Sequence, residues 1–163
     1  MRILWGEEKT KQWLLGIKAN DPKEYAKNTP TVAAVAAGEV EVGFVNHYYL
    51  YRFLREEGDS FQARNHHLVS GGPGSLVMVA GAGILETSDN KDAAKRFLEF
   101  LLSREGQKYF ASETFEYPLV DGVRAERGLI PLSEVNKPSV NLGVDLKDLK
   151  GTQRLLRETG IIP

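Results

Sequence analysis

Residues 39–52, which read EVEVGFVNHYYLYR, decide the fold predicted for this chain. Val40, Val42 and Phe44 alternate with other residues, and this alternation predicts a short strand over residues 39–45. Polar and phenolic side chains follow at the point where that strand ends and a helix begins. Because the ligands of open α/β sheets bind at the carboxyl ends of strands, this junction is the first candidate site.

Capping residues and apolar periodicity predict helices on both sides of this junction. Asn28 and Asn46 are each expected to cap the start of a helix, and Gly38 and Gly58 to end those two helices. The predicted helices cover about residues 7–20, 28–37, 46–57, 91–102, 105–112 and 148–158. A helix–strand–helix succession is typical of a mostly parallel sheet flanked by helices, so the predicted fold class is α/β.

Composition narrows the class of protein. A formal net charge of -1 over 163 residues gives no electrostatic basis for binding nucleic acid or an anionic membrane. The absence of cysteine excludes disulfides, thiolate metal sites and cysteine nucleophiles. No apolar stretch approaches the roughly 18 residues of a spanning helix, and no export leader is expected at the N-terminus. Neither a phosphate-binding loop nor a Gly-x-Ser-x-Gly elbow is present.

Tyr48 and Tyr49 present two phenol oxygens at the strand–helix junction. Phenolate is a hard oxygen ligand, suited to a hard cation such as ferric iron. The alternative is that both tyrosines, like Tyr51, are ordinary amphipathic residues of a surface helix. Asn28 and Asn46 also have two interpretations: each is a simple helix cap, or the two helix N-termini bind a small oxyanion.

Several longer motifs resemble the ferric iron-binding proteins of bacterial ABC importers. The NHYY run at residues 46–49 is a mark of that family, and the strand before it also matches. Further matching segments are PGSL at 73–76, GAGIL at 81–85, AKRFLEFLLS at 94–103 and EYPL at 116–119. The resemblance implies a lobe of the type 2 periplasmic-binding-protein fold, and a binding protein instead of an enzyme. It also implies a periplasmic or cell-envelope location, and an ABC permease with its ATPase as partners.

The resemblance also implies roles for particular residues. In the family, paired tyrosines are phenolate ligands of Fe(III), and these fall on Tyr48 and Tyr49. Two asparagines contact a synergistic anion, phosphate or carbonate, and these fall on Asn46 and Asn28. Tyr51 matches no family ligand.

The resemblance covers only the later half of the family's two-lobed, hinged proteins. It implies a second-lobe-like segment at residues 1–75 and a hinge strand with a helix pair at 76–136. Residues 137–163 would return to the second lobe. Because the first-lobe ligands are missing, we expect weak Fe(III) binding unless a second copy completes the metal's coordination.

Two alternatives remain open from the sequence. The first is a binding protein for another small solute, either an oxyanion or an organic cation. The second is an oligomerising fragment without iron binding. The apolar run at residues 76–85 is expected to be an unpaired strand, which favours a homodimer. This expectation holds for the oligomerising fragment and for the ferric iron-binding protein.

Overall fold

The computed structural model describes residues 1–126 and 128–163. These residues form six α-helices and four short 3-10 turns. The α-helices are α1 Arg2–Ala19, α2 Asn28–Ala36, α3 Tyr48–Glu57, α4 Lys91–Leu101, α5 Arg104–Glu113 and α6 Leu149–Glu158. All six predicted helices are therefore present. No helix in the described ranges is long and apolar enough to cross a bilayer.

The first of two compact units consists of residues 1–27, 66–76 and 136–163. Its helices α1 and α6 contact each other, and the buried residues include Leu14 of α1, Leu155 of α6 and Thr159, which follows α6. Helix α1 starts earlier than predicted and changes direction at Gly6, whose φ of 78° lies in the left-handed region. A single parallel bridge joins Ser70 to Asn136.

The second unit consists of residues 28–65 and 77–135. Helices α2 and α3 contact each other, with a core of Val32, Leu50, Phe61 and Ala63 between and beside them. Helices α4 and α5 form a second pair. The core fixes how α2 and the start of α3 face each other, and this arrangement positions the candidate site.

The predicted strand at residues 39–45 is not formed. Within residues 1–126 and 128–163 there is no β-strand, so the mostly parallel sheet stays a prediction. Val42 is 85% and Phe44 78% exposed. The side chains that the alternating pattern predicts on one side of a strand are therefore largely open to solvent. A strand exists only as part of a hydrogen-bonded ladder, and within the described residues no ladder includes residues 39–45.

Gly43 explains how this segment can lie against α2. A Cβ atom built on Gly43 would lie 2.6 Å from Cγ2 of Thr31 and 3.3 Å from Cγ2 of Val35. Both contacts are closer than ordinary van der Waals separation. The absence of a side chain therefore lets the backbone approach α2 closely just before the tyrosines.

Candidate functional site

The two predicted anion-binding asparagines are joined directly. The backbone N–H of Asn46 donates to Oδ1 of Asn28 at 3.1 Å. Asn28 is the first residue of α2, and Asn46 stands two residues before α3. This bond therefore fixes the position of the segment that leads into α3 relative to the start of α2.

The prediction that Asn46 caps α3 is wrong. His47 occupies the cap position, where no side-chain cap bond is present. The Asn46 side chain instead donates from Nδ2 to the hydroxyl oxygen of Tyr48 at 3.0 Å. A phenol oxygen is an acceptor within reach of the amide, so a side-chain contact replaces the expected local cap.

The two predicted metal ligands lie against each other. The ring centroids of Tyr48 and Tyr49 are 4.7 Å apart, with an angle of 38° between the ring planes. Both side chains are half-buried, and Tyr49 also packs against the hydrophobic core. Asn28, Asn46, Tyr48 and Tyr49 thus form one connected group, called the tyrosine cluster below.

The surroundings of Tyr48 favour its neutral phenol when no cation is present. Burial raises the pKa of Tyr48 above its ordinary value of 10.0, and the neighbouring Tyr49 raises it further. The hydrogen bond from Asn46 acts in the opposite direction, because it stabilises the phenolate. A cation that binds this phenol must therefore displace its proton.

The side chain of Arg52 lies next to Tyr49. Its guanidinium carbon is 5.4 Å from the centroid of the Tyr49 ring, one helical turn along α3. A guanidinium over a phenol face interacts favourably with the ring. It also brings a positive charge close to one of the two candidate ligands.

Residues distant in sequence surround the start of α3, and the sequence patterns did not predict their contacts. Nε2 of His47 lies 2.8 Å from the carbonyl oxygen of Phe115, and the His47 ring also packs against Tyr117 at 5.3 Å. Nδ2 of Asn65 donates to the carbonyl oxygen of His47 at 2.9 Å. The only sequence signal for this region is the family motif that includes Tyr117.

The contacts of Tyr51 hold its side chain in place within the second unit. Its hydroxyl donates to the carbonyl oxygen of Gly128 at 3.0 Å, and its ring stacks on Phe115 at 5.3 Å. Burial raises the pKa of the Tyr51 phenol. These contacts agree with leaving Tyr51 outside the candidate ligand set.

The donor set of the site consists of phenols and amides. In the part of the chain that the structure describes, no group of three or more His, Cys, Asp or Glu residues is placed to hold a metal ion. A cation bound at the tyrosine cluster would therefore depend on the two phenol oxygens and on donors from elsewhere.

Most of the chain matches a known protein family. Residues 4–108 match the model of the bacterial extracellular solute-binding proteins. The chain belongs to this family. The match includes the whole tyrosine cluster, so the candidate site lies within the part of the chain that matches the family.

Individual relatives narrow the comparison to iron-binding members. This solute-binding protein is 36% identical over 159 residues to the major ferric iron-binding protein of Neisseria meningitidis serogroup B, covering 97% of this chain and 47% of the relative. It is 29% identical over 161 residues to the Fe(3+)-binding periplasmic protein of Serratia marcescens, covering 98% and 47%. The chain thus spans about half the length of the curated relatives that it matches.

A solved structure has the same arrangement of the chain. The crystal structure of iron-bound HitA from Pseudomonas aeruginosa matches with a TM-score of 0.88 and 35% identity, covering 98% of this chain and 51% of HitA. These comparisons confirm the predicted resemblance to part of a ferric iron-binding protein. They also confirm the expectation of a binding protein instead of an enzyme, since the relatives are named for iron binding.

Proposed function

We propose that this solute-binding protein contributes part of a ferric iron site for an ABC importer. Tyr48 and Tyr49 are the metal ligands, and Asn28 and Asn46 hold a synergistic anion, phosphate or carbonate. The observation that carries the proposal is the connected tyrosine cluster, in which two phenols lie side by side and an amide donates to one of them.

Fe(III) suits this set of groups because of its charge. A trivalent cation stabilises the phenolate over the neutral phenol, as metal ions do for bound water and thiols. Binding then releases up to one proton from each tyrosine, so iron affinity falls as the pH falls. The hydroxyls of Tyr48 and Tyr49 are close enough to hydrogen-bond each other, which supports the binding of one ion by both oxygens.

Asn28 and Asn46 are suited to bind an oxyanion because their amides donate hydrogen bonds without adding charge. Each primary amide has two N–H donors and no charge. Tyr48 takes one donor of Asn46, which leaves the second donor and the Asn28 amide N–H groups for an oxyanion. Neutral donors bind the anion without opposing the cation beside it.

The proposed site is incomplete in this chain alone. Octahedral coordination of a hard cation takes about six donors, and two phenolates with one anion supply fewer. The chain covers 47% of the Neisseria relative, so we expect the other ligands to come from a first lobe that closes over the ion by a hinge. In that longer protein, residues 39–45 would pair in a mostly parallel sheet of the type 2 periplasmic-binding-protein fold. Its partners would be an ABC permease and ATPase, and its location the periplasm or cell envelope.

The test is a titration of the chain with ferric citrate in the presence of phosphate. Phenolate bound to Fe(III) gives a visible charge-transfer band, which a citrate-only blank lacks. We expect the band to appear with weak affinity, because the coordination shell is completed by solvent and citrate. Tight phosphate binding by calorimetry with no band would favour the alternative, a binding protein for an oxyanion.

The exposed apolar run at residues 76–85 favours a second property, self-association. Met78 is 66%, Val79 57% and Leu85 75% exposed, in a segment that forms no ladder in the described residues. Unpaired extended segments of this kind pair with other chains. We predict a homodimer through this run, measured as a doubled mass by light scattering. A monomer at high concentration would contradict the dimer and would leave the iron proposal standing.

A further inference from the structure

His47 connects the tyrosine cluster to a distant part of the second unit. Its Nε2 lies 2.8 Å from the carbonyl oxygen of Phe115, 68 positions along the chain. Because a carbonyl oxygen only accepts hydrogen bonds, Nε2 must carry the ring proton. The His47 ring also makes an edge contact with the ring of Tyr48, at 5.4 Å and 77°.

His47 belongs to a row of side chains that holds α3 in place. His47 has helical backbone angles, so His47, Tyr51 and Arg55 follow at four-residue intervals on one face. The Tyr51 ring stacks on the Phe115 ring, and the Arg55 guanidinium lies 4.4 Å from the centroid of that ring. Arg55 also pairs with Glu113 at 3.1 Å. One face of α3 is thus fixed against residues 113–115.

The acceptor of the His47 bond is itself held in a defined conformation. Phe115 is 6% exposed, and its φ of 58° lies in the left-handed region, which bulky side chains rarely adopt. Such a conformation persists only when surrounding contacts determine it. The direction of the Phe115 carbonyl is therefore fixed, and so is the point to which the His47 ring is tied.

The main chain of His47 is tied as well as its side chain. Nδ2 of Asn65 donates to the His47 carbonyl oxygen at 2.9 Å. Tyr48, the next residue, begins α3, and its ring direction depends on the backbone at this point. Two separate bonds therefore fix the position from which the first candidate ligand projects.

From this arrangement we propose that His47 is a positioning residue, which orients the phenol of Tyr48 through its bond to the Phe115 carbonyl. The inference rests on the proposed iron function, because its consequence is the alignment of a metal ligand. Partners that orient metal ligands contribute roughly 10- to 100-fold to metal affinity. His47 would act without touching the ion.

Two variants separate the hydrogen bond from the ring. His47→Phe keeps an aromatic ring beside Tyr48 and removes the donor. His47→Gln removes the ring, but its amide nitrogen can reach the position of Nε2 and donate to Phe115. Tyr51→Phe, one turn along the same face, is the matched control, because it keeps the stack on Phe115 and loses only the hydroxyl, which bonds Gly128 and Asn65.

The measurement is the charge-transfer band during titration with ferric citrate and phosphate, with thermal unfolding of each iron-free variant. We expect His47→Phe to shift the band and weaken iron binding roughly tenfold or more, at an unfolding temperature near that of Tyr51→Phe. His47→Gln should restore most of the affinity, and Tyr51→Phe should leave the band unchanged. A merely structural role would alter the unfolding temperature without moving the band of the folded protein.

The outcomes distinguish the two proposals. If His47→Phe shows the same band energy and the same iron affinity as the wild-type protein, the role of His47 is overturned and the proposed function stays intact. Absence of a band in the wild-type chain would overturn both. If His47→Phe does not fold, the ¹⁵N shifts of the wild-type His47 ring decide the matter: a neutral ring protonated on Nε2 supports the inference, and protonation on Nδ1 alone overturns it.

Discussion

Two polar clusters in this protein differ in the kind of groups that they bring together. The tyrosine cluster consists of neutral phenols and amides that are linked in series. The other cluster, called the helix-end cluster here, joins α1 to α6 through Arg2, Glu7, Asp148 and Arg154. In the helix-end cluster each charge has an opposite charge beside it, whereas the tyrosine cluster has donors and acceptors without any charge.

The charged side chains of the helix-end cluster pair with one another. Arg2 pairs with Glu7 at 2.8 Å and with Asp148 at 2.9 Å, and Asp148 also accepts from the N–H of Gly151 at the start of α6. The bonds to Arg2 lower the pKa of Glu7, and the Gly151 bond is the largest cause of a lowered pKa for Asp148. Such a cluster stabilises a helix junction, and its paired charges do not favour the binding of a charged ligand. The tyrosine cluster becomes charged only when a cation arrives.

The largest expected effect is the loss of both phenol oxygens. The double variant Tyr48→Phe with Tyr49→Phe keeps both rings and their packing and removes the proposed ligands. We expect the charge-transfer band to disappear and iron affinity to fall by more than roughly 100-fold, measured by spectroscopic titration. The control is Tyr109→Phe, which alters an exposed tyrosine of α5. A full band in the double variant would rule out the tyrosine ligands.

The second prediction separates the two clusters by pH. Tyr48 has a pKa raised above 10.0, so its phenol is protonated at neutral pH and iron must displace the proton. With two tyrosines, iron affinity should fall by up to about 100-fold per pH unit on acidification. Glu7 and Asp148 have pKa values lowered from 4.5 and 3.8. Their stabilising contribution is therefore full at neutral pH and lost only as the pH falls through those lowered values.

Iron affinity and thermal stability should accordingly respond in different pH ranges. Between pH 8 and pH 7 the charge-transfer titration should weaken, while the unfolding temperature of the iron-free protein stays nearly constant. Burial lowers the pKa of His47 from 6.5, so acidification through pH 6.5 should already reduce stability. Below about pH 4 the unfolding temperature should also fall. A parallel loss of stability and iron binding between pH 8 and pH 7 would contradict this separation.

A smaller effect is expected from the asparagine that donates to Tyr48. Asn46→Ala removes the amide proposed to contact both the anion and the phenol. Hydrogen bonds to charged groups contribute about 1.5–3 kcal/mol, so the gain in iron affinity caused by phosphate should fall by about tenfold or more. The measurement is iron titration with and without phosphate. An unchanged phosphate effect would remove Asn46 from the anion site.

The smallest effect is expected in the helix-end cluster. Arg2→Met removes its bonds to Glu7, Asp148 and Thr152 and keeps much of the side-chain length. Exposed ion pairs contribute little, so the unfolding temperature should fall by about 2 to 4 °C, with iron binding unchanged. Arg96→Met on the exposed surface of α4 is the control for loss of charge. An iron affinity that changes in Arg2→Met would show that the two clusters are not independent.

The helices could be predicted because their signals are local. Gly38 and Gly58 follow α2 and α3 with positive φ, as their positions in the sequence predicted. Ser103 and Asp148 accept bonds from backbone N–H groups three residues later at the starts of α5 and α6. Each of these signals involves residues within one turn of each other, so the sequence alone contains them.

The strand could not be predicted in the same way. Alternation at Val40, Val42 and Phe44 describes a segment that is ready to form a ladder, but pairing depends on another segment. In the described residues that segment forms no strand and is largely exposed instead. A local pattern therefore indicated which residues could pair in a sheet without deciding whether they do.

The amino-acid sequence by itself determined the positions of the helices, the residue types at the junction and the family resemblance of the NHYY run. Only the tertiary structure decided that Asn46 bonds Asn28 across 18 positions and that His47 bonds Phe115 across 68. The physical reason is range. Helix capping and periodicity act between near neighbours, whereas the partner of a polar side chain is chosen by how packed helices bring distant residues together.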